Sequence, residues 1–217
     1  MITGGSSGIG LEISRLFNEA GRAVYNLDKD KPGTEIEGVN FLRTDITNSR
    51  EINKSLSKVS TPIDILINNA GVIKRGTLLE TTEEEFDLLF DVNVKGSWLV
   101  IKSAKPYLSE KATVLQISSG HALHPETDPG IYSLTKQSTC NLAELLQKTC
   151  PEYSVKIAFP GPVETPLLLY GRDDKDKERI KKIAHKPSFV AQKIIELLES
   201  NKSRLVFDPK SWDYNLE

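Results

Sequence analysis

Thr3-Gly4-Gly5-Ser6-Ser7-Gly8-Ile9-Gly10 runs directly into Ile9–Ala20, whose apolar residues repeat at the spacing of an amphipathic helix. Glycines here let the backbone turn tightly and let a pyrophosphate approach the main chain. The helix that follows presents free N–H groups and the positive end of its dipole. A glycine-rich turn alone is weak evidence, because ordinary structural turns use the same residues. The downstream residues strengthen it. Gly21 leads into the apolar run Ala23–Leu27, which ends at Asp28. An acidic residue about 20 positions past the glycines, closing the second strand, accepts hydrogen bonds from adenosine ribose hydroxyls and repels a 2′-phosphate. Asp28 therefore points to NAD over NADP, while its neighbour Lys29 is the one local feature that favours NADP. The expected contacts of this region are Gly4, Ser6, Ser7, Gly8, Ile9, Gly10 and Asp28.

Working outward, short apolar strands alternate with amphipathic helical stretches. The strands are expected at Ala23–Leu27, Asn40–Arg43, Ile63–Ile67, Thr113–Ile117, Val155–Phe159 and Arg204–Phe207. The helices are expected at Ile9–Ala20, Ser49–Lys58, Thr82–Leu89, Val94–Leu108, Ile131–Lys148 and Phe189–Glu199. Several strands are continuous apolar runs, as strands covered on both faces are. The expected fold is α/β: a doubly wound parallel sheet of the Rossmann type, three-layered, with residues 1–217 as one domain. Two features are unusual. Met1 and Ile2 are the only residues before Thr3, so the first strand is shortened, with its start expected near solvent. Lys29–Gly38, carrying Pro32-Gly33, is short for a crossover helix and reads as a turn.

Composition narrows the function classes. Of 217 residues, 38% are hydrophobic and 27% charged, the balance of a soluble globular chain. A formal net charge of -2 supplies no field to recruit nucleic acid or a membrane surface. Cys140 and Cys150 are too few for a disulfide framework, and no metal-ligand spacing is present. No apolar run approaches the ~18 residues of a membrane span. The expected location is the cytoplasm.

Tyr132 and Lys136 stand four apart at the start of a helix, hence on one face. A free phenol is a poor base at neutral pH, and an ammonium held beside it favours the phenolate. Upstream, the strand Thr113–Ile117 runs into Ser118-Ser119, placing hydroxyls at the carboxyl edge where α/β sheets bind ligands. Asn68-Asn69-Ala70-Gly71 follows another strand, and Asn93 lies within Asp91-Val92-Asn93-Val94-Lys95-Gly96. Together and in this order, these segments resemble the short-chain dehydrogenase/reductase family from Thr3 to about Thr165.

That resemblance implies a catalytic set of Asn93, Ser119, Tyr132 and Lys136, with Ser119 chosen over Ser118 by its interval to the tyrosine. It places Asp45 and Ile46 beside the adenine, and Asn69, Ala70 and Gly71 along the adenosine side. Pro160, Gly161, Val163 and Thr165 match the segment against the nicotinamide. Tyr132 then exchanges the substrate hydroxyl proton and Ser119 hydrogen-bonds the substrate oxygen. Lys136 serves both the tyrosine and the ribose, and Asn93 positions a water linking Lys136 to solvent. The implied activity interconverts a small secondary alcohol and its ketone or aldehyde with NAD, NADP being second choice. The alternatives on this fold are an NAD-sensing regulator of weak activity and an epimerase or dehydratase.

A homodimer or homotetramer built on Val94–Leu108 and Ile131–Lys148 is the family's arrangement. The charge-rich stretch within about 166–187 reads as a solvated, flexible lid, with a basic rim for an anionic substrate as the sharper reading. His121, His124, Glu126 and Asp128 fall where they could face the substrate.

Overall fold

The computed structural model describes residues 1–127 and 130–217. Asp128 falls outside the described residues. Among the described residues, eight strands form one sheet in the order β3-β2-β1-β4-β5-β6-β7-β8. They are β1 (Ile2–Thr3), β2 (Val24–Asp28), β3 (Val39–Arg43), β4 (Ile63–Asn68), β5 (Leu108–Ile117), β6 (Ser154–Phe159), β7 (Arg204–Asp208) and β8 (Asp213–Leu216). All neighbours are parallel except β7 and β8, which pair antiparallel. The chain winds from β1 outward to β3, then returns to the other side of β1 through β4. The sheet therefore opens a crevice between the carboxyl ends of β1 and β4, the switch point at which such folds hold ligands.

Adjacent residues on each central strand face opposite layers, and both layers are apolar. Ile67, Leu115 and Ala158 pack with Ile13 of α1 (Gly8–Glu19) and with Val190, Ala191 and Ile194 of α8 (Pro187–Glu199). On the other face, Leu66 and Val114 pack with Ile52 and Leu56 of α2 (Ser49–Leu56) and with Val100 and Ala104 of α4 (Ser97–Ala104). Val155 and Ile157 meet Ala143 of α5 (Ile131–Thr149) on that side. Two-sided burial is why these strands carry unbroken apolar runs.

The first strand is as short as expected, but its start is better held. Ile2 pairs with Asn26 and Ile67, and Thr3 with Leu27. The Met1 amine, expected near solvent, donates instead to the Ile65 carbonyl at 2.8 Å, and Met1 accepts from Ile67 N at 2.9 Å. Lys29–Gly38 holds bends and turns and no helix, with Gly38 at φ +87°.

Other elements differ from expectation. The helix expected over Val94–Leu108 is three pieces. A π-helical turn at Phe90–Gly96 follows α3 (Glu83–Leu89), α4 succeeds it, and a 3₁₀ turn at Lys105–Tyr107 ends the run. Pro106 stops the helix, because its ring clashes with the preceding turn. The chain then enters β5 five residues earlier than the apolar run alone indicated. The stretch expected as a lid holds two helices, α6 (Pro166–Leu169) and α7 (Asp174–Lys181).

Candidate active site

A cleft of about 940 Å³ lies over the switch point. The glycine loop contributes Gly4, Ser7, Gly8 and Ile9, and the ends of β2 and β3 contribute Asp28, Asp45 and Ile46. Asn69, Ala70 and Gly71 follow β4, and Ser119, Tyr132 and Lys136 stand beyond them. Pro160, Gly161, Val163 and Thr165 close the far wall. Among the expected residues, Ser6, Gly10 and Asn93 lie behind this lining.

The loop is packed so closely that its glycines leave no room for a Cβ. A Cβ on Gly10 would stand 2.3 Å from the Gly4 carbonyl oxygen and 2.6 Å from Asn69 Nδ2. One on Gly8, whose φ is +53°, would meet Thr165 Cγ2 at 2.8 Å. Asn69 Nδ2 donates to the carbonyls of Thr3 (3.0 Å) and Gly4 (2.9 Å), and Thr3 Oγ1 accepts from Asn69 N and Ala70 N. α1 begins with no side-chain cap at Ser7 and no acidic residue in its first turn. Its positive end therefore faces the cleft uncompensated. This cradle, with Asp28 at the adjacent strand end, fits a dinucleotide pyrophosphate and ribose.

Asp28 also has a structural task. Its carboxylate accepts from Ser6 N at 3.0 Å and from Asp30 N at 3.2 Å. Asn26, which sequence reading passed over, supports the same loop. It is buried, accepts from Gly5 N at 2.8 Å, and donates to Ser6 Oγ at 3.1 Å. Its signal was an amide inside an otherwise apolar strand. Asp45 accepts from Thr47 N and Thr47 Oγ1. Burial opposes its ionised form, but those bonds and nearby Lys29 hold its carboxyl below the usual range. Ile46 packs against Gly96, where a Cβ would come within 2.8 Å of Ile46 Cδ1.

α5 starts at Ile131, so Tyr132 and Lys136 occupy successive turns of one face, both buried. Lys136 Nζ is 5.7 Å from the Tyr132 ring centroid and donates to the Ile117 carbonyl at 3.3 Å. Burial pushes the Lys136 ammonium down to about 8, opposed by the field of the Cys140 thiol. The two serines separate clearly. Ser118 Oγ donates to the Lys136 carbonyl at 2.9 Å and accepts from Cys140 Sγ at 3.1 Å. Ser119 Oγ accepts from His121 N at 3.2 Å, so its own proton remains available to the cleft. Asn93 sits in the π-helical turn, where one added residue per turn re-aims a side chain. Its Oδ1 accepts from Val72 N at 2.8 Å, and its Nδ2 donates to the Val72 carbonyl and Thr135 Oγ1, each at 3.0 Å. A Cβ on Gly71 would lie 3.2 Å from Asn93 Oδ1 and 3.4 Å from Lys136 Nζ, so both groups flank that glycine.

The far wall is braced from the C-terminal hairpin. Gly161 N donates to Tyr214 Oη at 3.3 Å, and a Cβ on Gly161 would strike the Phe207 ring at 2.5 Å. Burial pushes the Tyr214 phenol up to about 12. Val163 bridges to His185, and Thr165 Oγ1 accepts from Leu168 N at 3.2 Å. His121 lines the cleft with its ring 6.2 Å from that of Tyr132, at 76°. His124 pairs with Glu126 at 3.3 Å. Around α7, Asp176 binds both Arg172 and Arg179, Asp174 binds Lys177, and Glu178 binds Lys181. These pairs match the solvated reading of α7 better than a basic rim.

The short chain dehydrogenase family model matches residues 1–176. An uncharacterised oxidoreductase of Staphylococcus aureus is 29% identical over 199 residues, 82% of this chain and 83% of the relative. Among solved structures, the ligand-free aldohexose dehydrogenase of Thermoplasma acidophilum is 26% identical with a TM-score of 0.80, covering 92% of this chain and 86% of that one. A 3-ketoacyl-(acyl-carrier-protein) reductase of Brucella melitensis, complexed with NADH, is also 26% identical. Its TM-score is 0.77, with coverage of 92% and 89%.

Proposed function

Since the chain belongs to the short-chain dehydrogenase family, we propose that it interconverts a small secondary alcohol and its ketone or aldehyde, with NAD preferred over NADP. The observation that carries this reading is the convergence of one uncommitted hydroxyl, one buried phenol and one buried ammonium on the same cleft. Ser119, Tyr132 and Lys136 supply them, beside a loop whose glycines fit a pyrophosphate.

The nicotinamide, when bound, supplies the site that accepts or gives up hydride. The protein's own groups do the rest. Tyr132 Oη takes the proton from the substrate hydroxyl in oxidation and returns it in reduction. Ser119 Oγ donates to the substrate oxygen and fixes it against Tyr132. Lys136 holds positive charge beside the phenol and reaches toward the ribose hydroxyls. Asn93 shapes the passage between Gly71 and Lys136, where a water would carry protons outward. Asp28 receives the adenosine ribose, and Asp45 and Ile46 border the adenine. Residues 166–187 serve as the lid over the substrate.

The test is absorbance at the NADH band with pooled ketones, aldehydes, sugars and hydroxy acids, using the native chain and Tyr132→Phe. Turnover is expected in the first. In the variant it should fall by more than tenfold, about 1.4 kcal/mol of barrier, with NADH binding retained. NADH binding without turnover of any pool would favour the sensing regulator instead.

A further inference from the structure

α6 is a single helical turn, and the carbonyls of Leu168 and, just past it, Tyr170 take no main-chain donor among the described residues. Thr165 closes its N-terminal end from within. The other end is closed by a side chain from a distant part of the chain. Arg75, on the loop after β4, donates from Nη2 to the Leu168 carbonyl at 2.7 Å and from Nε to the Tyr170 carbonyl at 2.8 Å. Arg172 Nε adds a donor to the Leu168 carbonyl at 2.9 Å. Lys74 Nζ donates to Tyr170 Oη at 3.0 Å, and Gly171 turns the chain away at φ +69° beside the stem of Arg75.

The loop that carries Arg75 is itself anchored, because both main-chain groups of Val72 are bonded to the Asn93 side chain. A bonded path therefore runs from Asn93 through Val72, along the loop to Arg75 and on to α6. What α6 presents is apolar. Leu167 packs with Ile73, Ile131 and Tyr132, and Leu167 and Leu168 both line the cleft. The guanidiniums of Arg75 and Arg172 line it too; both donate to main-chain carbonyls, and Arg172 also pairs with Asp176.

We propose that Arg75 is a positioning residue that pins α6, so that Leu167 and Leu168 wall the substrate site beside Tyr132 and select substrates with an apolar group next to the reacting carbon. This rests on the oxidoreductase reading of the cleft. Charge-assisted donors are stronger than neutral ones, so removing both leaves the Tyr170 carbonyl without its side-chain donor and the Leu168 carbonyl with Arg172 alone, which loosens the turn.

The experiment uses the full chain with NADH and the variants Arg75→Ala and Arg75→Lys. Hydrogen exchange of the amides in 165–172 reports the clamp, and kinetics with butan-2-one, octan-2-one and 2-oxooctanoate report the wall. The native chain is expected to favour octan-2-one over butan-2-one. In Arg75→Ala, exchange should quicken about tenfold. Its KM for octan-2-one should rise about tenfold with kcat within about threefold. Arg75→Lys, keeping one donor, should recover part of both. Unchanged exchange in Arg75→Ala overturns the clamp; if that variant does not fold, unchanged exchange in Arg75→Lys does the same. Loss confined to 2-oxooctanoate, with ketone turnover intact, overturns the proposal by making Arg75 an anion-binding residue. Faster exchange in a chain that reduces none of the three ketones upholds the clamp and strikes at the oxidoreductase reading alone.

Discussion

At the residue scale, Lys136 is a charge held in the site at a burial cost. Its ammonium is held at about 8 in the folded chain, against an ordinary 10.5. Between those values the unfolded chain keeps a proton that the folded chain has released. Stability without cofactor therefore rises as pH climbs from about 8 to 10.5, and the full burial cost, of order 3 kcal/mol, is present below 8. Lys136→Met removes the charge while the Ile117 carbonyl keeps a donor in the Gln116 side chain at 3.3 Å. This variant should melt about 5 °C higher at pH 7, lose turnover, and show a flatter rise above pH 8. A lower melting temperature by calorimetry would refute this. Asp28 is the second case. Asp28→Ala would also strip the support of Ser6 N, so Asp28→Asn is the cleaner probe of charge. Fluorescence titration should show NADH favoured by the native chain and the gap over NADPH narrowed about tenfold in Asp28→Asn. Equal affinities in the native chain would end the NAD preference. The Tyr-Lys pair was legible in sequence because its spacing is local, and the serines because they close an apolar strand, the choice of Ser119 coming from the family resemblance. Asn26 gave only the faint signal of an amide in an apolar strand, whose task shows once the loop folds over it.

At the scale of elements, legibility followed the source of each signal. α1, α5 and the central strands announced themselves through apolar periodicity and two-sided burial. The π-helical turn at Phe90–Gly96 did not, because one extra residue in a helical turn leaves composition unchanged. The early start of β5 was hidden because its first residues, Leu108-Ser109-Glu110-Lys111, are mostly polar and pair with β4 only at Leu108 before a register shift. The glycine loop was read as a phosphate cradle, and its packing explains the demand. Gly10→Ala would drive a methyl into the Gly4 carbonyl and the Asn69 amide. NADH affinity should fall at least about tenfold, with about 1–3 kcal/mol of stability lost to overpacking. Unaltered NADH titration of a folded Gly10→Ala would show the loop to be more pliant than its contacts indicate.

At the scale of the whole molecule, the layered α/β plan was legible because alternating strands and helices admit few other solutions. The antiparallel β8 was missed, since Asp213–Leu216 is short and enters through Trp212 at a left-handed φ of 55°, which no pattern announces. Assembly is argued from the surface. Trp98 on α4 and Leu134 and Leu145 on α5 are large apolar side chains left 44%, 42% and 58% exposed. Leu134 and Leu145 share a helix face, so a twofold-related copy could cover both. A homodimer or homotetramer is expected by light scattering at micromolar concentration, and Leu145→Glu should shift it toward monomer. A native monomer there would count decisively against that surface. The brace on Gly161 has a consequence for biosynthesis. Its partner Tyr214 lies 53 residues later. At roughly 5–20 residues per second of translation, a nascent chain carries Tyr132, Lys136 and the glycine cradle for several seconds before the far wall has anything to lean on. Folding of the glycine cradle and bracing of the far wall are thus separated in time during synthesis.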